Sequence, residues 1–139
     1  MAQASSSIDL PYPADHVWQL IGGFGSLPDW LPFIPKSELG EGGRIRHLAT
    51  PDGDEIVERL IAFDHAARSY SYAILKAPFP AVDYVATLKV IEQGASHCKV
   101  VWSGTFTPKG VSDSEVSQLF QGIYDDGLKA LAQEIAKKK

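Results

Sequence analysis

Between residues 43 and 107 the chain is built from five strand-like segments, at about 43–50, 54–63, 68–76, 82–92 and 98–107. Each is rich in β-branched and aromatic residues, and short breaks of turn-forming residues separate them. Connections this short cannot carry a crossover, so consecutive strands must be antiparallel neighbours. A helix-period segment follows the last strand. Ser112 with Glu115 reads as a capping box, and Val116, Leu119, Phe120, Ile123, Gly127, Leu131 and Ile135 recur on one helical face. Such a helix is roughly 38 Å long at 1.5 Å per residue, enough to lie across a whole sheet.

The segments before the meander are shorter. Ala4, Ser6, Ile8 and Leu10 alternate and predict a first strand over 4–10. In PYPADHVWQLIGG, Pro13 suits a first helical position, and Val17, Trp18, Leu20 and Ile21 give an apolar face that ends at Gly22-Gly23. SLPDWL, at 26–31, predicts a second short helix closed by Pro32, and 36–41 a short strand. The expectation is an α+β fold in one domain, residues 1–139. A curved antiparallel sheet wraps around a long C-terminal helix, with two short helices after the first strand.

Turn chemistry sets the register. Pro51-Asp52-Gly53 matches a three-residue hairpin loop with glycine in the left-handed position. That loop closes Thr50 on Asp54, so Leu48 faces Ile56 and Arg46 faces Glu58. A three-residue turn at His65-Ala66-Ala67 places Tyr72 opposite Leu60 and Ile74 opposite Glu58. Continuing the alternation puts Val82, Tyr84, Ala86, Leu88 and Val90 in one row, and Val100, Trp102, Gly104 and Phe106 in another. The large aromatics therefore share a concave face with Arg46 and Glu58, while Ile45, His47 and Arg59 point outward. Charges among aromatic side chains are costly unless paired. The pair is open to two readings, a structural ion pair or a functional one.

Composition narrows the function. Apolar residues make up 45% of the chain, and the formal net charge is −4 with no basic cluster, which argues against nucleic-acid binding. The Lys137-Lys138-Lys139 run instead complements the negative end of a helix dipole. MAQASSSIDL lacks the pattern of a signal peptide, and no apolar stretch reaches membrane-spanning length, so a cytoplasmic protein without membrane insertion is expected. Cys98 is the only cysteine and reads as a strand-start residue. His16, His47, His65 and His97 are dispersed without metal-ligand spacing. Gly40-Glu41-Gly42-Gly43 lies between strands, which suits a hairpin better than a phosphate cradle. No G-x-S-x-G motif is present.

The layout resembles the helix-grip fold of the START/SRPBCC superfamily, and in particular its small bacterial polyketide cyclase/dehydrase-like members. Pro13-Ala14-Asp15-His16-Val17-Trp18, Trp30 between prolines, Gly43-Arg44-Ile45-Arg46, Glu58-Arg59-Leu60 with Asp64, Asp83-Tyr84 and Val101-Trp102-Ser103 carry the resemblance. More distantly, onion lachrymatory factor synthase and the plant abscisic acid receptors are similar around Arg46 and the Glu58-Arg59-Leu60 segment. The loop between Arg46 and Glu58 is shorter than in the synthase, and ATPDG replaces the receptors' gating loop.

The resemblance implies an apolar cavity between sheet and helix and a small hydrophobic ligand, polyketide-like, aromatic or lipid-like. Expected ligand contacts are Trp30 at the cavity mouth, Leu48, Leu60, Tyr72, Tyr84, Trp102, Phe106, Phe120 and Tyr124. The alternative is a cofactor-independent cyclase, dehydratase or isomerase, with Arg46 and Glu58 catalytic. A monomer or a homodimer fits either reading. An interaction module with no sizeable cavity is the third possibility.

Overall fold

The computed structural model describes residues 2–138. The elements follow in the order β1 (Ala2–Leu10), α1 (Ala14–Ile21), α2 (Leu27–Trp30), β2 (Lys36–Gly40), β3 (Ile45–Ala49), β4 (Glu55–Asp64), β5 (Ser69–Lys76), β6 (Ala81–Glu92), β7 (Cys98–Pro108) and α3 (Asp113–Lys138). The seven strands form one antiparallel sheet in the order β1-β7-β6-β5-β4-β3-β2. All five meander strands are present, and β1 returns to pair with β7 from Ala2↔Phe106 to Leu10↔Cys98. The lysine run at the end of α3 extends to Lys139, which lies outside the described residues.

The PDG turn has the expected form. Gly53 has φ +89, its N–H donates to the Thr50 carbonyl at 3.0 Å, and Thr50 N–H donates to the Asp54 carbonyl at 3.0 Å. Arg46 is therefore opposite Glu58, and Leu48 opposite Ile56. Gly40–Gly43 links β2 to β3 through a single 3₁₀ turn, so the glycines serve a hairpin.

Two strand connections depart from simple alternation. The β4–β5 loop has four residues, not three, because Asp64 pairs with Ser69, and Arg68 in that loop adopts φ +54. A bulge at Ile61 absorbs the extra residue, which restores Leu60↔Tyr72 and Glu58↔Ile74. In β6, a bulge between Val82 and Val85 puts Asp83 at φ +55. The row expected from Val82 to Val90 thus begins at Tyr84, and Val82 is exposed. Bulges of this kind bend a strand and strengthen its twist, which helps curl the sheet.

Pro13 caps α1 and is not its first helical residue; Val17, Trp18 and Ile21 are buried as expected. At the start of α3, Ser112 Oγ accepts the Glu115 N–H at 3.1 Å and donates to its carboxylate at 3.2 Å. The buried stripe of α3 runs through Val116, Phe120, Tyr124, Leu128, Leu131 and Ile135, while Leu119 is exposed.

Gly127 sits where α3 crosses Trp102. A Cβ at 127 would stand 2.6 Å from Trp102 Cζ3 and 3.1 Å from Leu31 Cδ1. The indole has little room to yield, being stacked on Tyr124 at 4.8 Å and edge-on to Trp30 at 5.9 Å. Gly127→Ala should therefore destabilise the protein by about 1–2 kcal/mol, although alanine favours a helix by roughly 1 kcal/mol. Urea denaturation measures this; a raised midpoint would mean that the indole moves aside at little cost.

Candidate functional site: a buried ion pair at the base of an apolar cavity

The long helix is seated on the β1–β7 end of the sheet. Toward β3–β5 the sheet is faced instead by α2 and the loop after it, and a cavity of about 300 Å³ remains between the layers. Its walls come from every layer. Leu27 and Leu31 lie on one side, Leu48, Ile56 and Ile74 on the sheet, and Phe120 and Tyr124 on α3. Exposed Pro51 and Asp52 of the PDG turn and half-buried Phe33, Phe79 and Ile123 mark the rim.

Arg46 and Glu58 line this cavity from adjacent strands and are the buried charged residues of the structure, 1% and 6% exposed. Arg46 Nε donates to Glu58 Oε1 at 2.7 Å, and Nη2 lies 2.6 Å from the same oxygen as an ion-pair contact. Nη1 donates to the Phe24 carbonyl at 2.9 Å and to the Tyr70 hydroxyl at 3.3 Å. The guanidinium carbon lies 4.2 Å from the Phe24 ring centroid and 4.7 Å from that of Tyr72. Arginine suits such a place because its flat group stacks on rings while its edge hydrogen-bonds. Glu58 Oε2 takes no hydrogen bond from the described residues.

The electrostatics follow from burial and pairing. Burial pushes the Glu58 carboxyl above the ordinary glutamate range, and the Arg46 charge only partly opposes it. Burial alone would lower Arg46, but the Glu58 carboxylate, Tyr70 and Tyr72 outweigh it and hold the guanidinium above its usual value.

A polar wall of aromatic side chains adjoins the pair. Trp102 Nε1 donates to the Tyr72 hydroxyl at 3.0 Å, and the Tyr84 and Tyr124 hydroxyls are hydrogen-bonded to each other. Gly104 makes the second contact possible, because a Cβ there would collide with the Tyr124 hydroxyl. Burial raises the phenols of Tyr72, Tyr84 and Tyr124 above the ordinary tyrosine range.

Of the expected contacts, Leu48, Tyr72, Tyr84, Trp102, Phe120 and Tyr124 line the cavity together with Arg46 and Glu58. Three do not. Trp30 is 1% exposed and packs behind Trp102, so it is not at the mouth. Phe106 is fully buried between Tyr84 and Phe120. Leu60, beside the Ile61 bulge, stays half-buried outside the cavity lining. The rim residues Phe33 and Phe79 were not anticipated. Their signal is a loop phenylalanine directly after a proline, as in Pro32-Phe33 and Pro78-Phe79.

Comparison with known proteins agrees with this geometry. A family model described as polyketide cyclase/dehydrase and lipid transport matches residues 1–136. Protein XoxI from Bacillus cereus is 55% identical, with 98% of this chain and 96% of that one covered and a TM-score of 0.95. A protein from Bacillus thuringiensis is 52% identical, with 97% and 99% covered and a TM-score of 0.95. A START superfamily protein from Mycobacterium smegmatis is only 12% identical but covers 100% of both chains at a TM-score of 0.84, a likeness of fold alone. No curated protein matches the chain. Among the described residues, no helix is long and apolar enough to cross a membrane.

Proposed function

The chain belongs to the polyketide cyclase/dehydrase and lipid transport family, with the helix-grip fold of the START superfamily, and on that premise we propose that it binds a hydrophobic small molecule between the sheet and α3. The observation that carries this reading is the cavity itself, about 300 Å³ with mostly apolar walls and one buried ion pair at its base. Binding pockets for small molecules combine apolar lining with a few placed polar groups. The volume lies at the small end of such pockets, which suits a compact ring system better than a two-chain lipid. A filled core, as an interaction module would have, is not what lies between these layers.

Native mass spectrometry of protein purified from its own host tests the reading. The expected spectrum contains a species heavier than the polypeptide by one small organic molecule, which is lost on denaturation. A cavity-filling variant, Ile56→Trp, should abolish the adduct while remaining folded. An adduct that survives in this variant would place the ligand elsewhere.

A second reading, catalysis, is favoured by the free Oε2 of Glu58. Arg46 donates three hydrogen bonds to protein acceptors, and its Nη2 is held against the same oxygen of Glu58 that accepts from Nε. The other carboxylate oxygen is left to accept a proton from a bound molecule. Its raised pKa brings the carboxylate closer to the range in which it can serve as base and then as acid. An N–H of Arg46 Nη2 could meet an oxygen on which negative charge develops. Such a pair suits cyclisation, dehydration or isomerisation next to a carbonyl without a cofactor.

A further inference from the structure

The hydroxyl groups on the cavity wall cannot all be satisfied by the protein. Trp102 Nε1–H is a donor only, and it is spent on the Tyr72 oxygen. Tyr84 and Tyr124 share one hydrogen bond. Tyr72 stands next to Tyr84, with ring centroids 6.1 Å apart, and shares no hydrogen bond with Tyr124. The three phenols are thus at best a chain and not a closed ring. A chain of three hydroxyls contains at most two internal hydrogen bonds but has three protons. In every arrangement at least one phenolic proton is left without a protein acceptor. All three residues line the cavity, so a molecule bound there can supply the missing acceptor.

From this count the geometry points to a hydrogen-bond-donating subsite, formed by Tyr72, Tyr84 and Tyr124 and fed from behind by Trp102, that takes an oxygen bearing no proton, such as a ring ketone. This inference rests on the binding reading above and adds the chemical class of the ligand. Burial holds the three phenols in their protonated form well past neutral pH, so the subsite remains a donor. The Glu58 end of the cavity has the opposite character, since Oε2 only accepts. A ligand that meets both ends carries an acceptor oxygen toward the tyrosines and a proton, on oxygen or on an acidic carbon, toward Glu58.

The test uses a matched pair of probes, 1-tetralone and tetralin, which share a bicyclic skeleton and differ in one carbonyl. Affinities are measured by ligand-observed NMR for the wild-type protein and for Tyr72→Phe/Tyr84→Phe/Tyr124→Phe. The wild type should prefer the ketone by about tenfold, the worth of one net hydrogen bond in a buried site. The triple variant, which has no phenolic donor left, should bind both probes within about twofold of each other. Tetralin binding as well as tetralone in the wild type overturns the donor subsite and leaves the cavity reading standing. Binding of neither probe overturns both. The wild-type comparison decides even if the triple variant does not fold.

Discussion

Replacing Arg46 by methionine is expected to cost the fold about 3–5 kcal/mol at pH 7, the range seen when one partner of a buried ion pair is removed. The loss has two parts. Glu58, 6% exposed, loses its counter-ion and must either bear an unpaired buried charge or take up a proton, and the Phe24 carbonyl loses its donor. Methionine keeps much of the contact with Phe24 and Tyr72, so the change isolates charge from packing. Removing both charges, as in Arg46→Met/Glu58→Leu, should recover most of the loss, because an apolar pair leaves no charge to desolvate.

The pH dependence of the single variant has a definite sign. The folded-state pKa of Glu58 already lies above its ordinary value, so the folded state holds the proton more tightly than the unfolded state. Its contribution to stability is full below the ordinary glutamate pKa and fades as pH rises through the raised one. Without Arg46 the opposing charge is gone and the pKa must rise further. The gap between Arg46→Met and wild type should therefore shrink as pH falls from 7 toward 4.5. Chemical denaturation at several pH values measures it. A loss under 1 kcal/mol, independent of pH, would mean that water reaches the carboxylate freely.

The second large effect concerns turnover. If the pair is catalytic, Glu58→Gln should bind its substrate within several-fold of wild type but react about 10²–10⁴-fold more slowly, the usual contribution of a positioned acid or base. The amide keeps the shape and one acceptor oxygen for Arg46 but cannot carry the proton. If the protein only binds, the same variant should retain its affinity within several-fold and there is no rate to lose. A verified activity that survives both Glu58→Gln and Arg46→Ala unchanged would remove these residues from the chemistry.

Much of the site was legible because hairpin loops are local. The Pro51-Asp52-Gly53 turn has one favoured length, and two-residue alternation then carries the register back to Arg46 and Glu58. The expected loop at His65–Ala67 was one residue too short, yet the pairing beyond it was right, because the Ile61 bulge cancels the extra loop residue. Bulges themselves were not legible. Ile61 does not differ in type from a regular strand residue, and Asp83, though a type depleted in strands and tolerant of positive φ, stands in an otherwise alternating run; its bulge is what turns Val82 outward. Trp30, Leu60 and Phe106 show a different gap. Parity says which face a residue occupies, but not whether a neighbour stands between it and the cavity.

The sequence by itself determined the order of elements, the antiparallel pairing of the meander, the confrontation of Arg46 with Glu58 and the inward face that holds them. Each of these follows from short-range chemistry, namely turn residues, side-chain period and helix caps. The tertiary structure alone decided that a cavity remains, where it ends and what is unsatisfied inside it. Those depend on how far α3 stands from the sheet, set by the Trp102–Gly127 crossing and by Gly104 admitting the Tyr124 hydroxyl. They also depend on which oxygens find partners across distant strands, a count that needs all three dimensions. So the charged pair could be read from a turn, while the donor character of the wall beside it could not.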